Sequence, residues 1–310
     1  MANNNNIFGL KNLPKNIVPG ANVPTTNLLG LGPIDEALFL DNDSHHIQNV
    51  GKCSRVQSVK VAGKDESCKC GQQVPIQSPE YIYFLDELSP SGRAAAAVIV
   101  RILLGTGKLS ESLDIGSGIQ PPDVRTVKQW VQKHKGKRLA VLIDYDRTIT
   151  TIEGGWLLAP SFQELLMVLN DLELPSEYSL KTFLAGLTLE GFVEYYVGGP
   201  QRMKMLQEMF DFLYENDVVS ILLTNNTACP TRKPLFQQML QVLTRGREVF
   251  IICGAEYGFD KKTAIQSQSP QFPAGSLVNL CEVVGGGKQK TRRVMKKAKK
   301  LRKQKTRTHS

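Results

Sequence analysis

The stretch Arg138-Leu-Ala-Val-Leu-Ile-Asp-Tyr-Asp-Arg-Thr-Ile-Thr150 decides how the chain is read. Leu139 to Ile143 is apolar at every position, and acids follow at once. An apolar run without polar alternation suits a strand buried on both faces, as in a parallel sheet covered by helices. Such a strand delivers Asp144 at its carboxyl tip. Side chains alternate along an extended chain, so Tyr145 points away while Asp144 and Asp146 lean to one side. Ligands of open α/β sheets bind beyond the carboxyl ends of the strands. Two carboxylates and a hydroxyl, Thr148, at that edge suit Mg²⁺ and a phosphate, because Mg²⁺ takes hard oxygen ligands. A single acid after a buried strand usually just opens a solvated loop. Strand-Asp-x-Asp-x-Thr with further α/β repeats behind it favours function.

Outward from this stretch, Val218 to Leu223 and Val249 to Cys253 form a second and third apolar run, and Leu277 to Val284 a weaker fourth. Helical patterns lie between them. Met203, Leu206, Phe210 and Leu213 share one face of 200–214, where Pro200 suits a first turn, and Leu235, Met239 and Val242 share one face of 234–243. The fold expected is α/β: a Rossmann-like parallel sheet with right-handed crossovers. Residues 150–199 are too many for a simple connection. Phe162 to Leu169 and Leu180 to Tyr196 are helix-like, so this part reads as a small helical cap insertion over the strand ends.

The α/β domain thus covers 138–287. Before it, 1–78 reads as low-complexity and mostly disordered, with Asn3 to Asn6 and frequent Gly, Pro and Ser. Residues 79–137 read as a short ordered segment of uncertain role, with a strand at Tyr81 to Leu85 and a helix at Ala94 to Leu104. Gly285 to Gly287 hinge into a basic tail, 288–310. Twelve of the 38 Lys and Arg fall between Lys288 and Arg307 with no acid among them, which leaves 26 against 29 acids elsewhere. The net charge of +9 therefore belongs to the tail. Dense cations without aromatics suit phosphate-backbone contact, so 288–307 is a candidate for non-specific nucleic-acid binding, beside a nuclear-import or solubilising role.

The six cysteines are Cys53, Cys68, Cys70, Cys229, Cys253 and Cys281. Cys253 and Cys281 sit in apolar runs, where free thiols act as small hydrophobes. The N-terminal residues lack the basic start and apolar stretch of a signal peptide. The longest apolar run, Ala94 to Leu104, is interrupted by Arg101 and too short to span a membrane. An intracellular, reducing setting with no membrane partner is expected, without distinguishing nucleus, cytoplasm or virion. His45, His46, Cys53, Cys68 and Cys70 raise zinc binding, although no second Cys pair stands at matching spacing. Gly105-Thr-Gly-Lys108 lacks the full phosphate-loop pattern and is set aside.

Asp144-Tyr-Asp-Arg-Thr148 resembles the first motif of the haloacid dehalogenase superfamily, Asp-x-Asp-x-Thr, and Thr224-Asn225-Asn226 resembles its second, a strand ending in Thr or Ser. The resemblance covers 138–284, about half the chain. It implies a Mg²⁺-dependent phosphatase acting through an aspartyl-phosphate. Asp144 would be the nucleophile and Asp146 the general acid/base. Thr224, with Thr148 and Asn225, would hold the phosphoryl group. Asp144 and the backbone carbonyl of Asp146 would contact the metal. Gly154-Gly155-Trp156 falls where the family has its flap. For the family's charge-neutralising lysine, Lys262 is the first choice, with Lys261 adjacent and Lys233 poorer. The family's fourth motif, acids at the end of a fourth strand, has no match in 277–284 beyond Glu282, and Glu256 and Asp260 are substitutes to consider. A lapsed metal site leads to the alternative: a catalytically impaired protein of this fold, tethered to nucleic acid or a virion component through its tail. The Gly-hinged basic tail and the Asn-rich start also resemble proteins of large nucleocytoplasmic DNA viruses.

Overall fold

Seven strands and nine α-helices account for the regular structure of the residues that the computed structural model describes, 32–63, 74–105, 112–152, 159–171, 184–268 and 276–282, with the side chains of 101–105 and 112–113 left aside. In chain order these are β1 (Glu36–Asp41), α1 (Ser44–Val50), β2 (Val56–Lys60), β3 (Val74–Pro75), α2 (Pro79–Glu87), α3 (Pro90–Gly105), β4 (Ser112–Leu113), α4 (Pro121–Lys133), β5 (Leu139–Ile143), α5 (Phe162–Asn170), α6 (Leu189–Tyr196), α7 (Pro200–Glu215), β6 (Val219–Thr224), α8 (Cys229–Thr244), β7 (Phe250–Cys253) and α9 (Lys261–Gln266).

Five strands form one parallel sheet in the order β2-β1-β5-β6-β7. The expected Rossmann-like α/β architecture is present to that extent. β5 is central and buried throughout, as its unbroken apolar run requires. Each such Leu, Ile or Val contributes about 1.5–3 kcal/mol on leaving water. The period of two divides the neighbours cleanly. Leu38, Leu40, Val141 and Ile143 face one apolar layer, which takes in residues of α2 through α8. Ala37, Phe39, Ala140 and Leu142 face the other, with Val50, Ala264, Ile265, Leu277 and Leu280. The sheet is therefore covered on both faces, by α1 and α9 on the thinner side.

Four expectations are corrected. First, residues 36–60, read as part of a disordered region, form β1, α1 and β2, and β1 is an inner strand beside β5. Only four apolar residues, Ala37 to Leu40, mark it between acids, and the Gly/Pro/Asn-rich surroundings hide it. Second, Tyr81 to Leu85 is helical. Ser78 caps α2 by accepting from the Tyr81 N–H at 3.1 Å, Pro79 takes the first turn, and Tyr81, Phe84 and Leu88 are buried while Ile82 and Tyr83 are exposed. That is a helical period, not alternation. Third, no fourth strand forms in the described part of 277–284. Val278–Cys281 is a 3₁₀ turn whose buried Leu280 and Cys281 pack in the smaller apolar layer. Fourth, the described cysteines are not free: Cys53 pairs with Cys281 and Cys229 with Cys253. Cys53 is thereby withdrawn from any zinc site, and the expectation of a reducing setting loses the support it drew from free thiols.

The segment read as a cap is part of the core where it is described. Phe162, Leu165 and Leu169 of α5 and Phe192, Val193, Tyr195 and Tyr196 of α6 are buried in the larger layer. Residues 1–31, Cys68, Cys70, the Gly154–Trp156 flap and the tail 288–310 lie outside the described residues. Among the described residues no helix is long and apolar enough to cross a membrane.

Candidate active site

From β1 the chain runs to β2 on one side and later returns to β5 on the other. The carboxyl ends of β1 and β5 thus mark the point where the sheet's connectivity reverses, the place where doubly wound sheets bind ligands. Leu40 pairs with Ile143, and Ile143 with Leu222. The residues just beyond, Asp41 and Asp144, therefore end their strands side by side, and the Asp144 N–H donates to the Leu40 carbonyl at 2.9 Å.

One ammonium joins the two carboxylates. Lys261 Nζ donates to Asp41 Oδ2 at 2.6 Å and to Asp144 Oδ1 at 2.5 Å, with all three side chains almost wholly removed from water. Burial alone raises the Asp144 carboxyl, the charges of Asp41 and Asp146 add to this, and Lys261 offsets only part, which leaves it at about 7. Burial also pushes Asp41 up, but Lys261 and His46 outweigh that and hold it below the usual carboxylate range. Burial works against the charged form of Lys261, and the two aspartates more than restore it. The group thus carries more negative charge than one lysine balances, and the excess falls on Asp144.

The lysine is Lys261, not Lys262. Asp260 caps α9 by accepting from the Thr263 N–H, which places Lys261 first in the helix, pointing under the sheet edge. One residue on, the helix has turned by about 100°, and Lys262 is half-buried elsewhere, its N–H on Asn49 Oδ1. Glu256 is exposed and Asp260 is engaged as a cap. Neither takes the place of the missing acid. The carboxylate that does stand beside Asp144 is Asp41, on a strand that precedes β5 in the chain.

The loop after β5 turns sharply. Arg147 adopts a left-handed conformation at φ 57°, and Thr150 bonds back to the Tyr145 carbonyl. Tyr145 swings into the core, its hydroxyl on Met239 Sδ at 3.0 Å and its ring edge-on to Phe236, while Asp146 stays partly open. Asp146 Oδ2 accepts from Asn226 Nδ2 at 2.8 Å. The same Asn226 donates its backbone N–H to Thr224 Oγ1 at 3.0 Å. Thr224 is fully buried and reaches Asp146 through Asn226. Thr148 is also fully buried, its hydroxyl shared between Asn42 and Asp144 Oδ2, so it ties the β1 and β5 loops together and has no surface to offer a substrate. Its carbonyl accepts from the buried Arg202, which also bonds the carbonyls of Ile119 and Val197. Gly118, at φ 87°, lies against this guanidinium: a Cβ there would sit 2.1 Å from Arg202 Nη2. Asn225 likewise turns to the protein, with Nδ2 on His46 Nε2 and on the Phe259 carbonyl.

Asp41 and Arg202 are absent from the residues expected, whereas His46 is named there only for zinc and Asn226 only as part of the second motif. Asp41 ends a strand of only four apolar residues that the surrounding sequence hides, and nothing local marks Arg202.

The Mg²⁺ implied by the resemblance can be tested against these groups. Asp144 and Asp146 offer hard oxygens, and the unbalanced charge on Asp144 suits a cation. Among the described residues, though, no three His, Cys, Asp or Glu side chains stand ready as a ligand set. The fit is one of donor type and charge. No family model, curated protein or solved structure matches the chain.

Proposed function

We propose that the chain is a phosphomonoester hydrolase of the haloacid dehalogenase type, with Asp144 as nucleophile. The observation that carries this reading is the Lys261 ammonium between Asp144 and Asp41 at the reversal point of the sheet, with Asp146 two residues further on in the grip of Asn226. A carboxylate desolvated against a lysine is a strong nucleophile once ionised, and the ammonium balances charge that builds on the transferring group. An Asp144 oxygen attacks phosphorus and the bond to the leaving oxygen breaks. Asp146 gives that oxygen its proton, then takes one from the water that attacks the aspartyl-phosphate, which regenerates Asp144 and releases phosphate. Mg²⁺ held by Asp144 and Asp146 would neutralise the phosphoryl oxygens.

The alternative, a lapsed site tethered through its tail, drew on the lack of a further carboxylate near Asp144. Asp41 stands beside Asp144 across Lys261, which supports the first reading. Nucleic-acid contact by 288–307 is a separate proposal that the described residues do not touch.

With Mg²⁺ present, purified protein should hydrolyse p-nitrophenyl phosphate, and Asp144→Asn should reduce the rate to background. Asp146→Asn should lower turnover by about 10²–10⁴-fold while the chain gains the mass of one phosphoryl group on Asp144. A wild-type rate no higher than that of Asp144→Asn across a broad panel of phosphomonoesters would sink the reading.

A further inference from the structure

His46 lies on α1, far in sequence from the motifs, yet it contacts both halves of the site. Its Nδ1 is 3.1 Å from Asp41 Oδ2 and its Nε2 is 3.0 Å from Asn225 Nδ2. Asp43 caps α1, accepting from the N–H of His45 at 2.7 Å, which fixes the first turn from which the ring projects. Through Asp41 the ring is one side chain away from Lys261, and so from Asp144. Through Asn225 it is one residue away from Asn226, which holds Asp146.

Asn225 Nδ2 also donates to the Phe259 carbonyl at 2.7 Å. Rotating the amide by half a turn would set Oδ1 against that carbonyl, two acceptors face to face, so the NH₂ group must stay where it is. Its other side packs against Gly254, where a Cβ would come within 2.0 Å of Oδ1. Asn225 is therefore locked as the donor to His46. Nε2 of the ring must accept, which puts the ring hydrogen on Nδ1, where it donates to Asp41.

We propose that His46 is a positioning residue, held as the Nδ1–H tautomer, that couples the pair carrying the nucleophile to the loop carrying the acid/base. Its catalytic consequence rests on the phosphatase reading; the tautomer does not. Asp41 Oδ1 accepts from the Asp43 N–H at 2.8 Å, and Oδ2, the oxygen that meets Lys261, takes its second donor from His46. The 225–228 loop needs an acceptor for Asn225, or Asn226 loses its fixed approach to Asp146. One imidazole serves both the carboxylate and the loop, because its two nitrogens face opposite ways.

The tautomer is read by nitrogen-15 NMR of the full chain labelled at histidine, with His46→Asn assigning the signal. The protonated nitrogen should be Nδ1, with Nε2 in the unprotonated acceptor range; a hydrogen on Nε2 overturns the inference whatever the activity. Kinetics then test the coupling. His46→Ala should lower kcat about 10- to 100-fold, as loss of an orienting partner does, with little change in KM. His46→Asn keeps a donor at the Nδ1 position and His46→Gln keeps an acceptor at the Nε2 position, so each should recover part of the loss and neither all of it. A kcat for His46→Ala equal to wild type, or full recovery by one conservative variant alone, shows that the ring does not couple the two arms. An inactive wild type with the Nδ1–H tautomer present instead removes the phosphatase reading and leaves the hydrogen-bond assignment standing.

Discussion

Asp41, Asp144 and Lys261 set two carboxylates against one ammonium, all out of water. Removing charges from solvent is unfavourable unless they are balanced, and here the balance falls one positive charge short. The imbalance has a sign that can be followed with pH. Asp144 ionises near 3.8 when solvated and at about 7 in the folded chain, so between those values the folded state holds a proton that the unfolded state has released. Stability from this group is full below pH 4 and is lost as pH rises to 7. Asp41 acts oppositely and in a different window: its lowered value adds stability above about pH 4 that disappears only in stronger acid. Replacing Asp144 by Asn removes the buried excess charge. In metal-free buffer at pH 8, Asp144→Asn should therefore be more stable than wild type by an amount on the order of a few kcal/mol, and the gap should close by pH 4. Urea melts at both pH values measure it, and a gap that stays constant with pH contradicts the charge account. A residue that weakens the fold while it serves the proposed chemistry is what a functional site leads one to expect.

At the level of elements, what was legible followed from the period of the side chains. β5, β6 and β7 show as apolar runs, and α7 as a stripe at three- and four-residue spacing, because each buries its own face regardless of partner. β1 did not show, since four apolar residues between acids look the same in a loop as in a strand, and only the pairing with β5 decides between them. The site divides along the same line. Asp144, Asp146 and Thr224 were readable from strand ends. Asp41 and Asn226 were not, because their importance comes from which strands lie side by side. The choice of Lys262 over Lys261 turned on the phase of a six-residue helix, which its Asp260 cap sets. The disulfides were hidden for a similar reason: Cys53 and Cys281 are 228 residues apart and Cys229 and Cys253 are 24 apart, joined only by the packing of the layers. Their contributions should differ with the loops they close. Chain entropy gives about 3 kcal/mol for the shorter loop and about 5 kcal/mol for the longer. Serine pairs at 53/281 and at 229/253, compared in denaturant melts under oxidising conditions, should rank in that order. Only the second should also disturb the site, because Cys229 follows the loop that holds Asn225 and Asn226.

For the molecule as a whole, the position of β1 raises the question of where the fold needs the chain to be continuous. Ile34 donates its N–H to the Ser276 carbonyl and accepts from Asn279 Nδ2; Ser54 donates to the Glu282 carbonyl, and Cys53 is bonded to Cys281. The start of β1 and the segment 276–282 are thus neighbours, and β2 leads on to the next described strand, β3, through residues 64–73. The acid that completes the ammonium pair comes early in the sequence for this reason alone. The sheet requires β1 beside β5, not before it, because strand pairing depends on register and burial and not on the order of synthesis. Moving residues 33–63 to the far end, after Glu282 and a flexible linker of about five Gly or Ser residues, should keep every strand pair, since each residue of such a linker adds up to about 3.3–3.6 Å of reach. The cut falls between Gly63 and Val74. Closing a linker that short carries a small entropic cost, so the rearranged chain should show the circular dichroism of the parent, melt cooperatively, and still form the Cys53–Cys281 bond. If the phosphatase reading is right, it should also keep the hydrolytic rate, because Asp41 would reach Lys261 from the other direction along the chain. A rearranged chain that is expanded and lacks that disulfide would show that residues 33–63 must lead the fold, and that the adjacency of the two ends does not by itself specify the site.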